Sequence, residues 1–230
     1  MRVAVITPYH REPLEMLQRC HASVAAQTLG SVEHLMVSDG HPHAEIDAWP
    51  VQHVCLPHCG DMGDTPRATG AAVAAARGAD AIAFLDADCW YEPQHLERLA
   101  ALLTDATPVV TCARRLWKRD GSPLGTDDES DGAAFNDTNC YLLGRRAFGY
   151  VSALLFKRAD LALVGDRVLW QVLPREWRVR SPEPTVNYTT HFAYHYQRHG
   201  LVPPPDSRVI HADAQGRWHA TTYAEAPRRA

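Results

Sequence analysis

The chain has 230 residues, of which 46% are hydrophobic, a composition typical of a packed globular domain rather than a disordered segment. Its 27 acidic and 23 basic residues give a net charge of −4, which argues against a basic surface for nucleic acid or an anionic membrane. We find no run of about 18 apolar residues that would mark a spanning helix and no secretory leader, so we expect a cytoplasmic protein, with peripheral membrane contact left open.

Predicted strands and helices alternate through the first half of the chain. The β-branched and apolar runs predict strands over residues 2–6, 34–38, 51–56, 81–85 and 109–113. Pro13 and Pro93 mark the starts of two helices. A third is predicted from Thr65, as its N-cap, to Arg77, before Gly78. Such alternation indicates an α/β fold with a mostly parallel sheet covered by helices on both faces.

Polar residues fall at the carboxyl ends of three of these strands. Thr7-Pro8 follows the first, Asp39 the second, and Asp86-Ala87-Asp88 the strand over residues 81–85. Ligands of open α/β sheets bind beyond the carboxyl ends of the strands. We therefore expect these residues to converge on one binding site.

The second half of the chain is less regular. We predict a hairpin over residues 114–125, a mobile acidic loop over 127–132, helical stretches over 145–173 and a helix over 189–199. Three prolines at 203–205 lead into a tail. The expected organisation is one domain over residues 1–202, with halves 1–113 and 114–202, followed by a C-terminal tail over 203–230.

Asp86 and Asp88 are the leading candidates for a metal site. They follow a buried strand and precede a helix, so both carboxylates can reach one divalent cation where the strand gives way to a turn. Hard oxygen ligands suit Mg²⁺ or Mn²⁺. A solvated turn is the alternative interpretation.

Several segments, in order, resemble the nucleotide-binding half of family 2 glycosyltransferases, which have the GT-A fold. The matching segments are Ile6-Thr7-Pro8-Tyr9, Ser23-Val24-Ala25-Ala26-Gln27-Thr28, Met36-Val37-Ser38-Asp39, Pro66-Arg67-Ala68 and Phe84-Leu85-Asp86-Ala87-Asp88. The resemblance is clearest over residues 3–97 and weaker to about residue 200. It departs from the family where Tyr9-His10 replaces the usual Tyr-Asn and where Ala68 follows Arg67.

The resemblance implies a nucleoside diphosphate-sugar donor, of UDP or GDP type, bound with Mn²⁺ or Mg²⁺. Thr7 and Pro8 would line the nucleoside pocket, Asp39 would accept a hydrogen bond from the base, and Arg67 would lie near the diphosphate. The donor-binding set is Thr7, Pro8, Tyr9, Glu12, Asp39, Arg67 and Asp86. Arg67 could equally be a surface helix residue, and Asp39 a turn former.

The catalytic base is expected in the second half. Leu163-Val164-Gly165-Asp166 resembles the helix start where inverting members of the family keep a carboxylate, although Gly165 replaces the usual preceding glutamate. Asp166 would remove the proton of the acceptor hydroxyl. Its alternative role is a helix N-cap.

Three histidines, His191, His195 and His199, share one face of the predicted helix. One helix rarely supplies three ligands to a single ion, because its rise separates the first and last by about 12 Å. The resemblance instead implies that a C-terminal histidine completes the metal site with Asp86 and Asp88. We choose His195, with His191 next.

The predicted activity is inverting transfer of a sugar to an unidentified acceptor, with the loop over 126–138 closing on the bound donor. A non-catalytic nucleotide- or sugar-binding module of the same fold is the main alternative. A sugar-phosphate nucleotidyltransferase is disfavoured because residues 7–12 contain no glycine. The histidines and cysteines of residues 53–59 could hold zinc, but the segment is better interpreted as an exposed loop because no second half-site follows.

Overall fold

The computed structural model describes residues 1–127 and 129–226 and has a central sheet of nine strands. Those strands are β1 (Val3–Tyr9), β2 (Val32–Asp39), β3 (Gln52–Leu56), β4 (Ala81–Phe84), β5 (Trp90–Tyr91), β6 (Val109–Trp117), β7 (Pro123–Thr126), β8 (Tyr141–Gly144) and β9 (Arg178–Thr189). The α-helices are α1 (Leu14–Ala25), α2 (Asp64–Ala76), α3 (His95–Leu102), α4 (Gly165–Val172) and α5 (Ala193–Arg198).

The strands run in the order β3-β2-β1-β4-β8-β6-β9-β5, with β7 paired to β6. The four strands from the first half, β3, β2, β1 and β4, are parallel. β8 joins them antiparallel, and β6 and β9 then pair parallel to each other. The carboxyl ends of β1, β2 and β4 therefore meet at one edge, as the sequence predicts.

Helices cover both faces of the sheet. Alternation along β1 places Ala4 and Ile6 in one core, with α2 and α4, and places Val3 and Val5 in the other, with α1 and α3. All seven residues of β1 are buried, and burying one large aliphatic side chain contributes about 1.5–3 kcal/mol. The α/β prediction with helices on both faces is confirmed.

Helix α2 lies unusually close to β1. A Cβ on Gly70 would lie 2.5 Å from Cγ2 of Ile6, so only glycine allows this approach. The helix begins two residues earlier than predicted, with Gly63, in the left-handed conformation, at the N-cap position in place of Thr65. Thr65 is therefore not the cap; its own N–H donates to Oδ2 of Asp61 at 2.9 Å.

The predicted helix over residues 189–199 is wrong at its start. β9 continues to Thr189, and α5 begins only at Ala193. His191 therefore precedes the helix, while His195 lies within it. The hairpin over 114–125 is confirmed by β6 and β7, and the helical stretches over 145–173 are short 3₁₀ segments followed by α4.

The predicted acidic loop is held by arginines. Asp127 and Ser130 are buried, and Arg180 donates to the carbonyl oxygen of Ser130 at 2.7 Å. Asp128 lies outside the described residues.

The segment after residue 202 forms structure of its own. β10 (Arg208–Ala212) and β11 (Trp218–Thr222) pair antiparallel in a two-stranded sheet. The Trp218 N–H lies 3.3 Å from Oδ2 of Asp160, so the hairpin contacts the 3₁₀ segment before α4. Among the described residues, the helices are too short or too polar to cross a bilayer.

Candidate functional site

A cavity of about 980 Å³ opens at the carboxyl ends of β1, β2 and β4. The predicted site residues that line it are Pro8, Tyr9, Glu12, Asp39, Arg67, Asp86, Asp88 and Asp166. The structure thus brings most of the predicted set to one place, across more than 150 residues of sequence.

Asp86 is held from two sides. Its Oδ1 forms an ion pair with Nη2 of Arg67, and its Oδ2 accepts a hydrogen bond from Nδ2 of Asn139 at 2.8 Å. Asn139 also accepts from the Asp86 backbone N–H at 2.5 Å. Both carboxylate oxygens of Asp86 are therefore oriented by partners before any ligand arrives.

Arg67 is a buried residue of α2 rather than a surface helix residue. It donates to the carbonyl oxygen of Met62 at 2.9 Å and lies 3.5 Å from Oδ1 of Asp64. The buried Lys157 pairs with the other oxygen of Asp64 at 2.6 Å. These contacts place two cations and two carboxylates in one network at the cavity.

Asp88 contacts His191 directly. Its Oδ2 lies 2.8 Å from Nε2 of His191, and its carbonyl oxygen accepts from the Thr189 hydroxyl at 2.6 Å. The end of β9 is thereby fixed beside Asp88, and His191 follows two residues later. A carboxylate and an imidazole at the cavity wall form a donor set that suits Mn²⁺.

His195 has a different environment. It is buried, and its Nδ1 lies 2.5 Å from the Thr190 hydroxyl. Its Nε2 lies 3.4 Å from Nη2 of Arg114 and 3.8 Å from Oδ2 of Asp127. The contact with Asp88 is made by His191, which was the second choice from sequence.

Asp166 lies in the first turn of α4 and lines the cavity. Its Oδ1 accepts from the N–H of Arg167 at 2.7 Å, a contact with the next residue that differs from an N-cap bond. Burial, and after it the neighbouring carboxylate of Asp137, raise the pKa of Asp166 from 3.8 to about 7. A carboxyl group with a pKa near neutrality is suited to proton transfer.

Asp39 organises the loop that follows β3. Its Oδ1 accepts from the N–H of Cys59, and its Oδ2 accepts from the N–H of Gly60 at 3.3 Å. Nδ1 of His58 lies 3.3 Å from Oδ1. The loop is therefore anchored on a carboxylate that lines the cavity.

Side-chain hydrogen bonds hold the end of β1 and the turn that follows it. Glu12 accepts from the N–H of His10 at 2.6 Å, and the Tyr9 hydroxyl lies 2.7 Å from Nε2 of His53. Thr7 is fully buried, and its hydroxyl lies 2.8 Å from Nε2 of His34. Pro8 and Tyr9, rather than the Thr7 side chain, provide the cavity surface.

Arg114 holds both ends of the loop over residues 126–138. It pairs with Asp127 at 2.6 Å and with Asp137 at 2.5 Å, and its guanidinium stacks 4.0 Å from the ring centroid of Tyr188. Its own side chain is almost fully buried. Asn139 links this cluster to Asp86, because its Nδ2 also lies 2.7 Å from Oδ1 of Asp137.

Several residues in and around the cavity were missed at the sequence level. Asp64, Asp137 and the hairpin residues Arg208, Ile210 and Trp218 line the cavity. Asn139 and Lys157 contact its carboxylates, Asp86 and Asp64. For Asp137 and Asn139 the available signal was the polar run Asn136-Asp137-Thr138-Asn139. The hairpin residues carried none.

Comparisons with known proteins identify the family and the fold of the chain. Residues 4–160 match the model described as glycosyl transferase family 2. TarS 1–349 from S. aureus in complex with UDP has a TM-score of 0.62 and 12% identity, over 86% of this chain and 63% of that one. Its complex with UDP-GlcNAc has a TM-score of 0.60 and 13% identity, over 83% and 59%. No curated protein matches the chain significantly.

This chain spans less than two thirds of the length of those TarS structures. At 12–13% identity the likeness shows a shared fold, and the predicted GT-A architecture is confirmed. The family match covers the strands that present Asp39, Asp86 and Asp88.

Proposed function

The chain belongs to glycosyl transferase family 2, and we propose that it transfers a sugar from a nucleoside diphosphate-sugar donor to an acceptor hydroxyl. One observation carries this proposal. The Arg67–Asp86–Asn139 network, the Asp88–His191 pair and Asp166 line or border a single cavity at the ends of the parallel strands.

The donor would lie along the strand ends. Pro8, Tyr9 and Asp39 border the nucleoside end, and the Arg67 guanidinium offers positive charge to the diphosphate. A UDP-type donor is our first choice because TarS was solved with UDP and UDP-GlcNAc, and a GDP-type donor is the second.

Asp88 and His191 are the residues that we propose hold Mn²⁺ or Mg²⁺. Each oxygen of Asp86 already contacts one partner, Arg67 or Asn139, so the role that we propose for Asp86 is to orient the arginine beside the donor. When bound, the cation would neutralise charge on the departing nucleoside diphosphate. Asp88 is only partly accessible, which limits competition from water.

Asp166 would act as the general base in a single displacement with inversion. The acceptor hydroxyl gives its proton to Asp166, its oxygen bonds to the anomeric carbon, and the bond from that carbon to the diphosphate oxygen breaks. Asp137 and Arg114 adjust the charge around this carboxyl group. Closure of the loop over 126–138 on the donor, from its Arg114-anchored ends, stays a prediction, as does a cytoplasmic location.

Nucleotide binding tests the proposal first. We would measure the melting temperature with UDP, GDP, CDP, TDP and their sugars, each with and without Mn²⁺, on wild type, Asp88→Asn and the exposed-site control Asp105→Asn. A ligand that binds only the folded state raises the melting temperature by mass action. We expect one nucleotide family to stabilise wild type and the control in a metal-dependent manner, and Asp88→Asn much less.

Sugar transfer is then tested by donor turnover with the nucleotide so identified. Release of nucleoside diphosphate by wild type, and its loss in Asp166→Asn with binding retained, is the expected result. Binding without release in any acceptor mixture would favour a non-catalytic module. Absence of any nucleotide shift would contradict the donor site itself.

A further inference from the structure

Two histidines and Asp39 converge at the nucleoside end of the cavity, apart from the Asp88–His191 pair. A nitrogen of His10, a nitrogen of His58 and a carboxylate oxygen of Asp39 all lie within 4.8 Å of one another. His10 comes from the turn after β1, Asp39 from the end of β2, and His58 from the loop after β3. Three separate segments thus contribute one ligand atom each.

The ring of His10 is held by a backbone hydrogen bond. Its Nδ1 lies 2.6 Å from the carbonyl oxygen of Asp39. A carbonyl only accepts hydrogen bonds, so Nδ1 carries the proton and Nε2 keeps its lone pair. A backbone carbonyl bonded to the other ring nitrogen is the usual support of a metal-binding histidine.

Asp39 and His58 are held near each other by backbone geometry. The N–H groups of Cys59 and Gly60 fix the carboxylate and leave it further lone pairs. A Cβ on Gly40 would lie 2.6 Å from Cβ of His58, and Gly40 has a φ of +82°, so glycine is needed for His58 to pack here.

The neighbouring imidazoles and thiols are engaged elsewhere. Nε2 of His41 accepts from Nε of Arg11 at 3.1 Å, and Nε2 of His53 bonds to the Tyr9 hydroxyl. The Cys55 thiol lies 3.7 Å from Nε2 of His53, and the Cys59 thiol donates to the carbonyl oxygen of Pro57 at 3.2 Å. The set that converges is therefore His10, Asp39 and His58. Of the histidines and cysteines of residues 53–59 considered from sequence, this set includes His58 alone.

Two imidazoles and one carboxylate match a borderline-soft ion. Zn²⁺ binds histidine nitrogen and carboxylate oxygen at about 2.0–2.2 Å, which puts tetrahedral ligands about 3.3 Å apart. The His58 side chain is 56% exposed, so it can move the remaining distance without disturbing the core. Mg²⁺ prefers all-oxygen ligands, which this set does not provide.

We propose that His10, Asp39 and His58 form a second cation site, which takes Zn²⁺ or a chemically similar ion with an open fourth position. The site does not depend on sugar transfer, so it can be tested on the protein without a donor. Occupation would clamp the loop after β3 onto the turn after β1.

Zinc binding to the full chain, stripped of metal, tests the site. Zn²⁺ would be titrated in competition with a chromogenic chelator on wild type, His58→Gln and His10→Gln. The control variants are the exposed His199→Gln and, for the other metal site, His191→Gln. Melting temperatures without metal would verify that each variant is folded.

We expect the tightest-binding Zn²⁺ of the wild-type chain to bind at least about tenfold more weakly in His58→Gln and His10→Gln. The two controls should keep the wild-type affinity. Unchanged affinity in folded His58→Gln, or a loss confined to His191→Gln, would overturn the proposal.

Discussion

The carboxylate of Asp64 occupies the space that a side chain at position 165 would need. A Cβ built on Gly165 would lie 2.7 Å from Oδ1 of Asp64. Asp64 is only 2% exposed and is held by Lys157 at 2.6 Å and Arg67 at 3.5 Å. Gly165 stands where the family resemblance leads us to expect a glutamate. The carboxylate of Asp64, from α2, fills the space beside Gly165 instead.

Replacing Gly165 should destabilise the fold. Gly165→Ala would push the Asp64 carboxylate away from its two cations, and we expect a loss of about 1–3 kcal/mol in the free energy of unfolding. Urea denaturation measures the loss. Gly149→Ala is the matched control, because nothing lies within 4 Å of a Cβ there. Equal stability of the two variants would contradict the steric argument.

Asp166→Asn should stabilise the protein at alkaline pH. The folded protein keeps the Asp166 proton up to a pKa of about 7, whereas the unfolded chain releases it near 3.8. The contribution of Asp166 to the free energy of unfolding therefore falls as the pH rises from about 4 to about 7. At pH 8 we expect the variant to exceed wild type by about 1 kcal/mol or more, and by less at pH 5.

The same variant should lose transferase activity, because an amide cannot accept the acceptor proton. Denaturation at both pH values and donor turnover at pH 8 are the measurements, with Asp105→Asn as the exposed control. A stability difference that is the same at pH 5 and pH 8 would argue against the raised pKa.

His191 and His195 should differ in their effect on the metal. His191→Gln removes the imidazole beside Asp88, and we expect the Mn²⁺ concentration for half-maximal nucleotide binding to rise about tenfold or more. His195→Gln should instead lower the melting temperature, since the buried imidazole contacts Thr190 and Arg114. Mn²⁺ titrations and melting curves on both variants give the comparison. Weaker Mn²⁺ binding in His195→Gln than in His191→Gln would identify His195 as the metal ligand.

Asn139 should be required for both stability and donor binding. Asn139→Ala removes two contacts with Asp86 and one with Asp137, all at 2.8 Å or less, and leaves buried groups unpaired. We expect a loss of about 2–3 kcal/mol in unfolding free energy. Calorimetric titration should also show weaker nucleotide binding, because Asp86 no longer orients Arg67. Wild-type affinity for the nucleotide in this variant would show that Asn139 does not support donor binding.

Zinc should oppose nucleotide binding, because a cation held by His10, Asp39 and His58 would occupy the space beside Asp39 that the base needs. We expect one equivalent of Zn²⁺ to raise the dissociation constant of the bound nucleotide in wild type but not in His58→Gln. Calorimetry at fixed Mn²⁺ measures the effect. Relief of inhibition by His191→Gln instead would place the zinc at Asp88.

The parallel half of the sheet could be predicted because its signals are local. Apolar runs such as residues 3–6 end in polar residues, and the ladder of β1, β2 and β4 then brings those ends together. The second half lacked such signals. β9 contains Pro182 and Pro184, and its pairing with β6 shifts register on both sides of Ala113, where the irregularity accommodates proline.

The site residues that escaped prediction are those defined by distant contacts. Lys157 and Asp64 meet across 93 positions in sequence, and Asn139 and Asp86 across 53. The histidine spacing gave no means of choosing between His191 and His195, because that choice depends on where β9 ends.

The C-terminal hairpin forms part of the cavity wall but does not belong to the nine-stranded sheet. Arg208, Ile210 and Trp218 line the cavity, whereas β10 and β11 pair in a sheet of their own. Within residues 1–127 and 129–226, one isolated β-bridge, between Phe192 and Arg208, pairs this hairpin with another part of the chain. Changes in this short ribbon can therefore reshape that wall while leaving the nine-stranded sheet intact. The wall of the cavity can vary independently of the strand ends that carry Asp39, Asp86 and Asp88.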